Sequence, residues 1–222
     1  MPAAEDRKET IAARTTAALR EEILSGALAP GTKINLDRLR ERFAVSLAPV
    51  REAMTRLAAE GLVEAEAQRG YRVAPLTRTN LAEITRLRQE LETLALRLAI
   101  ERGDIDWESR LLAALHRLER SPAEAPAAHD AFHAALTDAA GMPLLAALGS
   151  QLRALHSRYW RCLPQTQPLA AADHTAPDHA TIAQAALARD AALACRLLAE
   201  HIAATGTAAR KTLATEPPGA EE

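Results

Sequence analysis

Two histidines stand four residues apart in the segment H-D-A-F-H, at His129 and His133. The alanine-rich sequence around them predicts a helix, and positions i and i+4 of a helix share one face, with Cβ atoms roughly 5–6 Å apart. Two imidazoles at that spacing have the geometry to hold a metal ion. The same spacing fits two ordinary solvated histidines, so the pair alone leaves both interpretations open.

The composition indicates a helical globular protein. The chain of 222 residues is 48% hydrophobic and 25% charged, and it is long enough for two domains. Aromatic residues make up only 3% of it, which favours closely packed helices over sheets. The sequence has no apolar run near the roughly 18 residues of a membrane span and no secretory signal, so we expect a cytoplasmic protein with no membrane partner. Cys162 and Cys195 are too few for a disulfide framework or a cysteine zinc site.

The N-terminal part of the chain predicts three helices and a hairpin. A first helix covers Thr15–Leu24, and a second begins after Asn35, a good N-cap residue, and reaches Phe43. A third helix has Pro49 in its first turn and ends at Gly61. Two short strands follow, near Leu62–Glu66 and Tyr71–Ala74.

This order of elements is that of a winged helix-turn-helix, and it favours DNA binding over a generic small α+β domain. A net charge of −2 argues against wholesale nucleic-acid binding. A small DNA-reading domain, however, needs only a local basic face.

After Pro75 the pattern becomes entirely helical, beginning with a long amphipathic helix over Thr79–Glu101. Further helices are predicted at Trp107–Glu119, Ala127–Ala140, Pro143–Leu163, Pro177–Ala188 and Asp190–Leu213. The predicted fold is therefore mostly α, with a winged helix-turn-helix at 10–76, a bundle of about six helices at 78–213 and a disordered tail at 214–222.

Three segments resemble a known protein family. The stretch V-S-L-A-P-V-R-E-A-M resembles the N-terminal domain of GntR-family transcription regulators, and F-H-A-A-L-T-D-A-A-G-M-P-L-L with the later D-H and E-H-I resembles the helical FCD domain of their FadR-type subgroup. The resemblance covers about residues 12–210. It implies a bacterial, nucleoid-associated homodimer that binds a two-fold related double-stranded DNA operator, most often as a repressor. It also implies that a small metabolite entering the helical domain modulates this binding, and that the protein is not an enzyme.

The resemblance implies a DNA-reading surface. Arg51 lies where the family has its base-contacting arginine, and an arginine there can bond a guanine with two hydrogen bonds. Ser46 is expected to bond a phosphate or to cap the third helix. Ala48, Arg69 and Gly70 are assigned to the same interface, the last two at the tip of the wing.

Two positions depart from the family pattern in this surface. Leu47 and Asp37 stand where many members have further arginines. Arg38, Arg40 and Arg42 are nearby and are expected to replace the phosphate charge. For Arg38 and Arg40 a solvated helix face is the alternative. The operator sequence is therefore less well defined by the resemblance than DNA binding itself.

The resemblance also extends the histidine pair into a metal site. It implies that His133, His179 and His201 bind a divalent ion together with a carboxylate one turn before His133. That carboxylate position is occupied by His129, while Asp130 is displaced by about 100° around the helix. Four neutral imidazoles favour Zn or Ni, with Mn possible, and leave the charge of the ion to attract an anion.

Arg88 stands where the subgroup has an arginine facing the effector. It is expected either to clamp a ligand carboxylate or to pair with Glu92 one turn on. The segment Arg158–Trp160 is interpreted as a wall of the effector site or as a packing face. The remaining histidines are assigned to the surface or to loops: His116, His156 and His174.

Two other functions fit parts of this sequence. The metal itself would be the signal if the protein were a metal sensor. A metal-dependent hydrolase would need an open coordination position and a carboxylate base, for which Asp130 or Asp178 is available, but it would leave the DNA-binding half unexplained.

Overall fold

The computed structural model describes residues 10–66, 70–120, 125–162 and 177–215, which fold into two compact units that divide between Leu76 and Thr77. The described part of the first unit has three helices and three short strands, in the order α1, β1, α2, α3, β2, β3. Their bounds are α1 Ile11–Ser25, β1 Lys33–Ile34, α2 Leu36–Phe43, α3 Leu47–Ala59, β2 Val63–Glu66 and β3 Gly70–Val73.

The helix-turn-helix is made by α2 and α3. As predicted, Asn35 caps α2, because its side chain accepts a hydrogen bond from the backbone N–H of Arg38 at 3.0 Å. The helix ends at Ala44, whose φ of 52° lies in the left-handed region and turns the chain toward α3. Both α1 and α2 pack against α3. The inner face of α3 is fully buried: Val50, Ala53, Met54 and Leu57.

The wing is an antiparallel sheet with strand order β1-β3-β2. The two-strand hairpin was predicted, but β1 was not, because two residues are too few to show a sequence pattern. Arg72, on the central strand β3, links β2 to the segment before β1. Its Nε donates to Glu66 Oε1 at 2.6 Å, and its Nη1 donates to the carbonyl of Gly31 at 2.5 Å.

The second unit is all-helical, which confirms the predicted fold class. Its helices in the described ranges are α4 Arg78–Arg102, α5 Ile105–Arg120, α6 Ala125–Thr137, α7 Pro143–Arg161, α8 His179–Leu187 and α9 Ala191–Thr215, with a 3₁₀ turn at Asp138–Ala140. α9 extends to Thr215, two residues into the segment assigned to a disordered tail, and 216–222 lie outside the described residues. Within those ranges, no helix combines the length and apolar character that crossing a bilayer requires.

The core of the helical unit is formed where α4 packs against α9. A Cβ atom at Gly206 would lie 2.5 Å from Thr85 Oγ1, so the glycine lets the two helices approach closely. One turn along α4, Gln89 Nε2 donates to the carbonyl of Ala199 at 3.1 Å. These contacts fix the register of α4 against α9. The largest buried side chains around them are Leu96, Trp107, Leu111, Phe132, Ile182 and Leu198.

Candidate metal centre and DNA-reading surface

Three helices bring the four predicted histidines together. α6 carries His129 and His133, α8 begins with His179, and α9 carries His201 near its middle. The side chain of Asp178 caps α8 by accepting from the N–H of Thr181 at 2.7 Å, which fixes the start of that helix. One possible ligand atom from each histidine lies within 4.8 Å of all the others. We call this group, His129, His133, His179 and His201, the histidine cluster.

All four imidazoles of the histidine cluster have the same ring nitrogen buried. In each of the four, Nε2 is buried and has no hydrogen-bond partner among the residues that the structure describes. In His201 the other nitrogen, Nδ1, lies 2.9 Å from the carbonyl oxygen of Pro177. A carbonyl only accepts hydrogen bonds, so Nδ1 carries the proton and Nε2 keeps a free lone pair. That is the tautomer that metal-ligating histidines require.

Burial keeps these imidazoles neutral. It lowers the pKa of His179 to about 2 and that of His201 to about 4, and the neighbouring histidines add to both effects. The pKa of His129 is well below its usual value for the same two reasons. Burial also lowers the pKa of His133, although Glu92 acts in the opposite direction. Neutral imidazole is the form that binds metal.

The histidine cluster fits a divalent ion in size and chemistry. A zinc–nitrogen bond is about 2.0–2.1 Å long, so the nitrogens of a tetrahedral zinc site lie about 3.3 Å apart. A spread of 4.8 Å therefore closes on an ion with small side-chain rotations. Asp130 lies outside the four-residue cluster, and burial raises the pKa of its carboxyl group. Nitrogen donors alone favour Zn or Ni over Mn.

A buried ion pair on α4 lies against the cluster. Arg88 Nε donates to Glu92 Oε1 at 2.7 Å, and the other carboxylate oxygen lies 3.2 Å from His133 Nδ1. That second contact is close but not aligned for a hydrogen bond. Burial alone would raise the pKa of Glu92, but Arg88 and then His133 hold it well below its usual range.

The structure therefore contains the Arg88–Glu92 pair that the sequence left as one of two alternatives. The role of Arg88 as an effector clamp stays a prediction. The sequence interpretation gave Glu92 no part in the site. A carboxylate next to a ligating histidine orients the ring and increases its basicity. The only sequence feature pointing to Glu92 was its spacing of four residues from Arg88.

The interpretation of His156 as a surface or loop residue was wrong. Its side chain is only 4% exposed on α7, and Arg153 one turn earlier is 9% exposed. Both lie on the inward stripe of α7, which polar residue types concealed in the sequence. His116 is exposed, as expected, and His174 lies outside the described residues. Tyr159 is a packing residue whose hydroxyl donates to the carbonyl of Thr77 at 3.0 Å.

The predicted DNA-reading residues occupy the start of α3 and its approach. Arg51 and Ala48 are exposed on α3. Ser46 is the N-cap residue of α3, but its hydroxyl makes no capping hydrogen bond within the described residues. Gly70 opens β3 in the left-handed region, at φ 96°, and Arg69 lies outside the described residues.

The two arginines of α2 are both exposed. Arg40 has weak contacts with Asp37 at 3.9 Å and with Glu41 at 3.8 Å, and exposed pairs of this kind contribute little to stability. For Arg38 and Arg40, a DNA-binding role and the alternative of a solvated helix face both stay predictions.

Comparison with known proteins identifies both units. Residues 11–73 match the model for bacterial regulatory proteins of the gntR family, and residues 83–204 match the FCD domain. The HTH-type transcriptional repressor GlaR of Escherichia coli (strain K12) is 33% identical over 198 residues, covering 83% of this chain and 89% of the relative. The transcriptional regulator BphR of Paraburkholderia xenovorans (strain LB400) is 33% identical over 195 residues, covering 83% and 79%.

The solved structure of E. coli McbR/YncC shares the fold. It superposes with a TM-score of 0.77 at 23% identity, covering 92% of this chain and 99% of that one. The relatives GlaR and BphR are transcription regulators, not enzymes. The chain belongs to the GntR family of bacterial transcription regulators, and its helical half is an FCD domain.

Proposed function

We propose that this regulator represses transcription as a homodimer, and that a small carboxylate bound at a divalent metal ion in the histidine cluster changes its affinity for the operator. One observation carries the proposal: four buried Nε2 atoms, without hydrogen-bond partners in the described part of the chain, converge from three helices.

Such a group of nitrogens is costly unless something binds it. An unsatisfied buried polar group costs about 1–3 kcal/mol, and native proteins contain few of them. Four in one place indicate a ligand rather than a packing defect. A divalent ion supplies a positive charge that accepts all four lone pairs at once, so it satisfies the group better than water.

The charge of the histidine cluster favours an anionic effector. Four imidazoles bring no negative charge, and the carboxylate of Glu92 is already neutralised by Arg88. A divalent ion held there keeps its charge and attracts a carboxylate. Arg88 is our candidate for a further contact with that carboxylate.

In this proposal the winged helix-turn-helix binds the operator. We infer that each protomer places the N-terminal end of α3 in the major groove and that the two-fold operator matches the symmetry of the dimer. An effector changes operator affinity only if it binds the DNA-competent and DNA-incompetent geometries unequally.

A metal sensor is the second candidate, because the histidine cluster fits an ion without any other ligand. In that case metal alone would switch operator binding, whereas the leading proposal requires a carboxylate as well.

The two candidates are separated with an operator selected from random DNA by the purified protein. Operator affinity is measured for chelator-treated protein, then with Zn²⁺, Ni²⁺ or Mn²⁺, and then with a panel of small carboxylates added to the metal-loaded protein. We expect carboxylates to change affinity at least about fivefold on metal-loaded protein only. A full switch by metal alone would favour the sensor, and no response to either would reject both.

A further inference from the structure

Arg153 on α7 is a buried charge that has no ion-pair partner among the described residues. Its side chain is 9% exposed, and it makes no hydrogen bond or ion pair within the described part of the chain. Burial lowers the pKa of its guanidinium. A buried arginine normally pairs, because an isolated charge in a protein interior is strongly unfavourable.

His156, one turn further along α7, is also a buried polar residue. It is 4% exposed, and its Nε2 is buried with no hydrogen-bond partner in the described ranges. Burial, and then the charge of Arg88, hold its pKa well below the usual value, so the ring is neutral. Gly149, one turn before Arg153, leaves room at the guanidinium, since a Cβ there would lie 3.3 Å from Arg153 Nη1.

Both side chains belong to the surroundings of the histidine cluster. α7 packs against α4 and α6, which carry Glu92 and His133. The charges felt by Arg153 are those of Glu92, Arg88 and Asp130. The charges that act on His156 are those of Arg88 and Glu92, together with two imidazoles of the cluster, His133 and His201.

The charges in this region do not balance. Arg88 and Glu92 neutralise each other at 2.7 Å. Among the described residues, Asp130 is the carboxylate other than Glu92 that acts on Arg153, and burial raises the pKa of Asp130. A divalent ion among neutral imidazoles would add two positive charges. A monoanion would leave a net positive charge in the interior, whereas a dianion would compensate most of it.

We propose that Arg153 and His156 form an anion-binding subsite beside the histidine cluster, which receives the second carboxylate of a small dicarboxylate whose first carboxylate binds at the metal. This inference rests on the proposed function and defines the class of effector. Arg153 supplies the charge and a two-pronged donor, and His156 adds a neutral polar contact. The distance from the metal to these two residues of α7 then determines which length of dicarboxylate fits.

The test uses the full-length protein and isothermal titration calorimetry. Zn²⁺ is titrated first, without any anion. The zinc-loaded protein is then titrated with malonate, succinate and adipate, with acetate and butyrate as monocarboxylates, and with inorganic phosphate. We expect at least one dicarboxylate to bind about tenfold more tightly than either monocarboxylate. In R153Q the preference should disappear while zinc affinity stays unchanged. R196Q, the same change at an exposed arginine of α9, should behave as the wild type.

Thermal unfolding of the metal-free, ligand-free protein provides the second readout. R153Q should be as stable as the wild type or more stable, because it removes an uncompensated buried charge. A clear loss of stability would make Arg153 a structural residue and overturn the subsite. Equal affinity for mono- and dicarboxylates, tighter binding of phosphate than of every dicarboxylate, or an unchanged preference in R153Q would also overturn it. Failure of zinc to bind would instead reject the proposed metal centre, and the subsite with it.

Discussion

His129 occupies the position at which an acidic ligand would lower the charge of a bound divalent ion. With imidazole there, the proposed site offers four nitrogen donors and no protein charge. Two consequences belong to this single residue: the preference for a nitrogen-seeking metal and the attraction for an anionic ligand.

The metal preference is testable by H129D. An aspartate adds an oxygen donor and a negative charge, so the ratio of Zn²⁺ to Mn²⁺ affinity should fall by about tenfold, or ~1.4 kcal/mol. Competitive metal titration measures this ratio. D130N is the control, because Asp130 lies outside the cluster, and it should leave the ratio unchanged. An unchanged ratio in H129D would remove His129 from the ligand set.

The helix α4 contains two Arg–Glu pairs that carry the same charges but differ in burial, so the effect of burial on a pair can be measured. Arg88–Glu92 is 2–3% exposed, whereas Arg86–Glu90 is 58–73% exposed, and both are joined at 2.7 Å with the same spacing. E92Q leaves Arg88 as a buried charge without its counter-ion, and breaking such a pair costs about 3–5 kcal/mol.

We expect E92Q to lower the free energy of unfolding of the helical domain by about 3 kcal/mol and to weaken metal binding by about tenfold or more. E90Q should change stability by about 0.5 kcal/mol at most. Urea unfolding and zinc titration are the measurements. Equal effects of E92Q and E90Q would show that Glu92 neither compensates Arg88 nor orients His133.

At the scale of elements, the turn between α2 and α3 contains a strained alanine. Ala44 is exposed and has φ 52°, a conformation that glycine adopts without the steric cost of a Cβ atom. A44G should therefore stabilise the winged helix-turn-helix by about 0.5–1 kcal/mol, less the entropy that glycine adds to the unfolded chain. A17G, at an exposed position inside α1, should destabilise it by about 1 kcal/mol. Denaturant unfolding compares the two, and loss of stability in A44G would refute the assigned turn.

The recognition helix is the other element with a direct test. R51A should weaken binding to the selected operator by about tenfold to a hundredfold, the value of one specific arginine–guanine contact, with helicity and dimerisation unchanged. R56A changes an exposed arginine of the same helix that is paired with Glu52, and should have a much smaller effect. Fluorescence anisotropy with operator and scrambled DNA measures the difference. Unchanged operator affinity in R51A would mean that α3 does not read the operator through Arg51.

For the whole molecule, the sequence predicted the architecture because its patterns are strong. Caps, a proline in the first turn and leucine stripes located the helices, and the matching family motifs ordered them into two domains. The two-residue strand β1 was not predicted, because only its pairing with Arg72 and Tyr71 defines it. The spacing of His129 and His133 indicated one face of a helix, but only the fold brings them to His179 and His201.

The sequence did not predict the buried polar residues of α7. Arg153 and His156 have the polar character of a solvated face, and nothing local shows that α7 turns them inward. Glu92 was predicted as an ion-pair partner, and its approach to His133 depends on how α4 packs against α6. Residues that bind ligands often break the rule that polar side chains face water, so sequence patterns alone misplace them.

The most direct test of the whole account is the metal content of the purified protein. Elemental analysis and zinc titration of the full chain should give one divalent ion per chain, and H133A/H179A should bind none while keeping its helical circular dichroism. That result would establish the histidine cluster as the metal centre. A wild-type protein that takes up no ion, or a double variant that still holds one per chain, would contradict it.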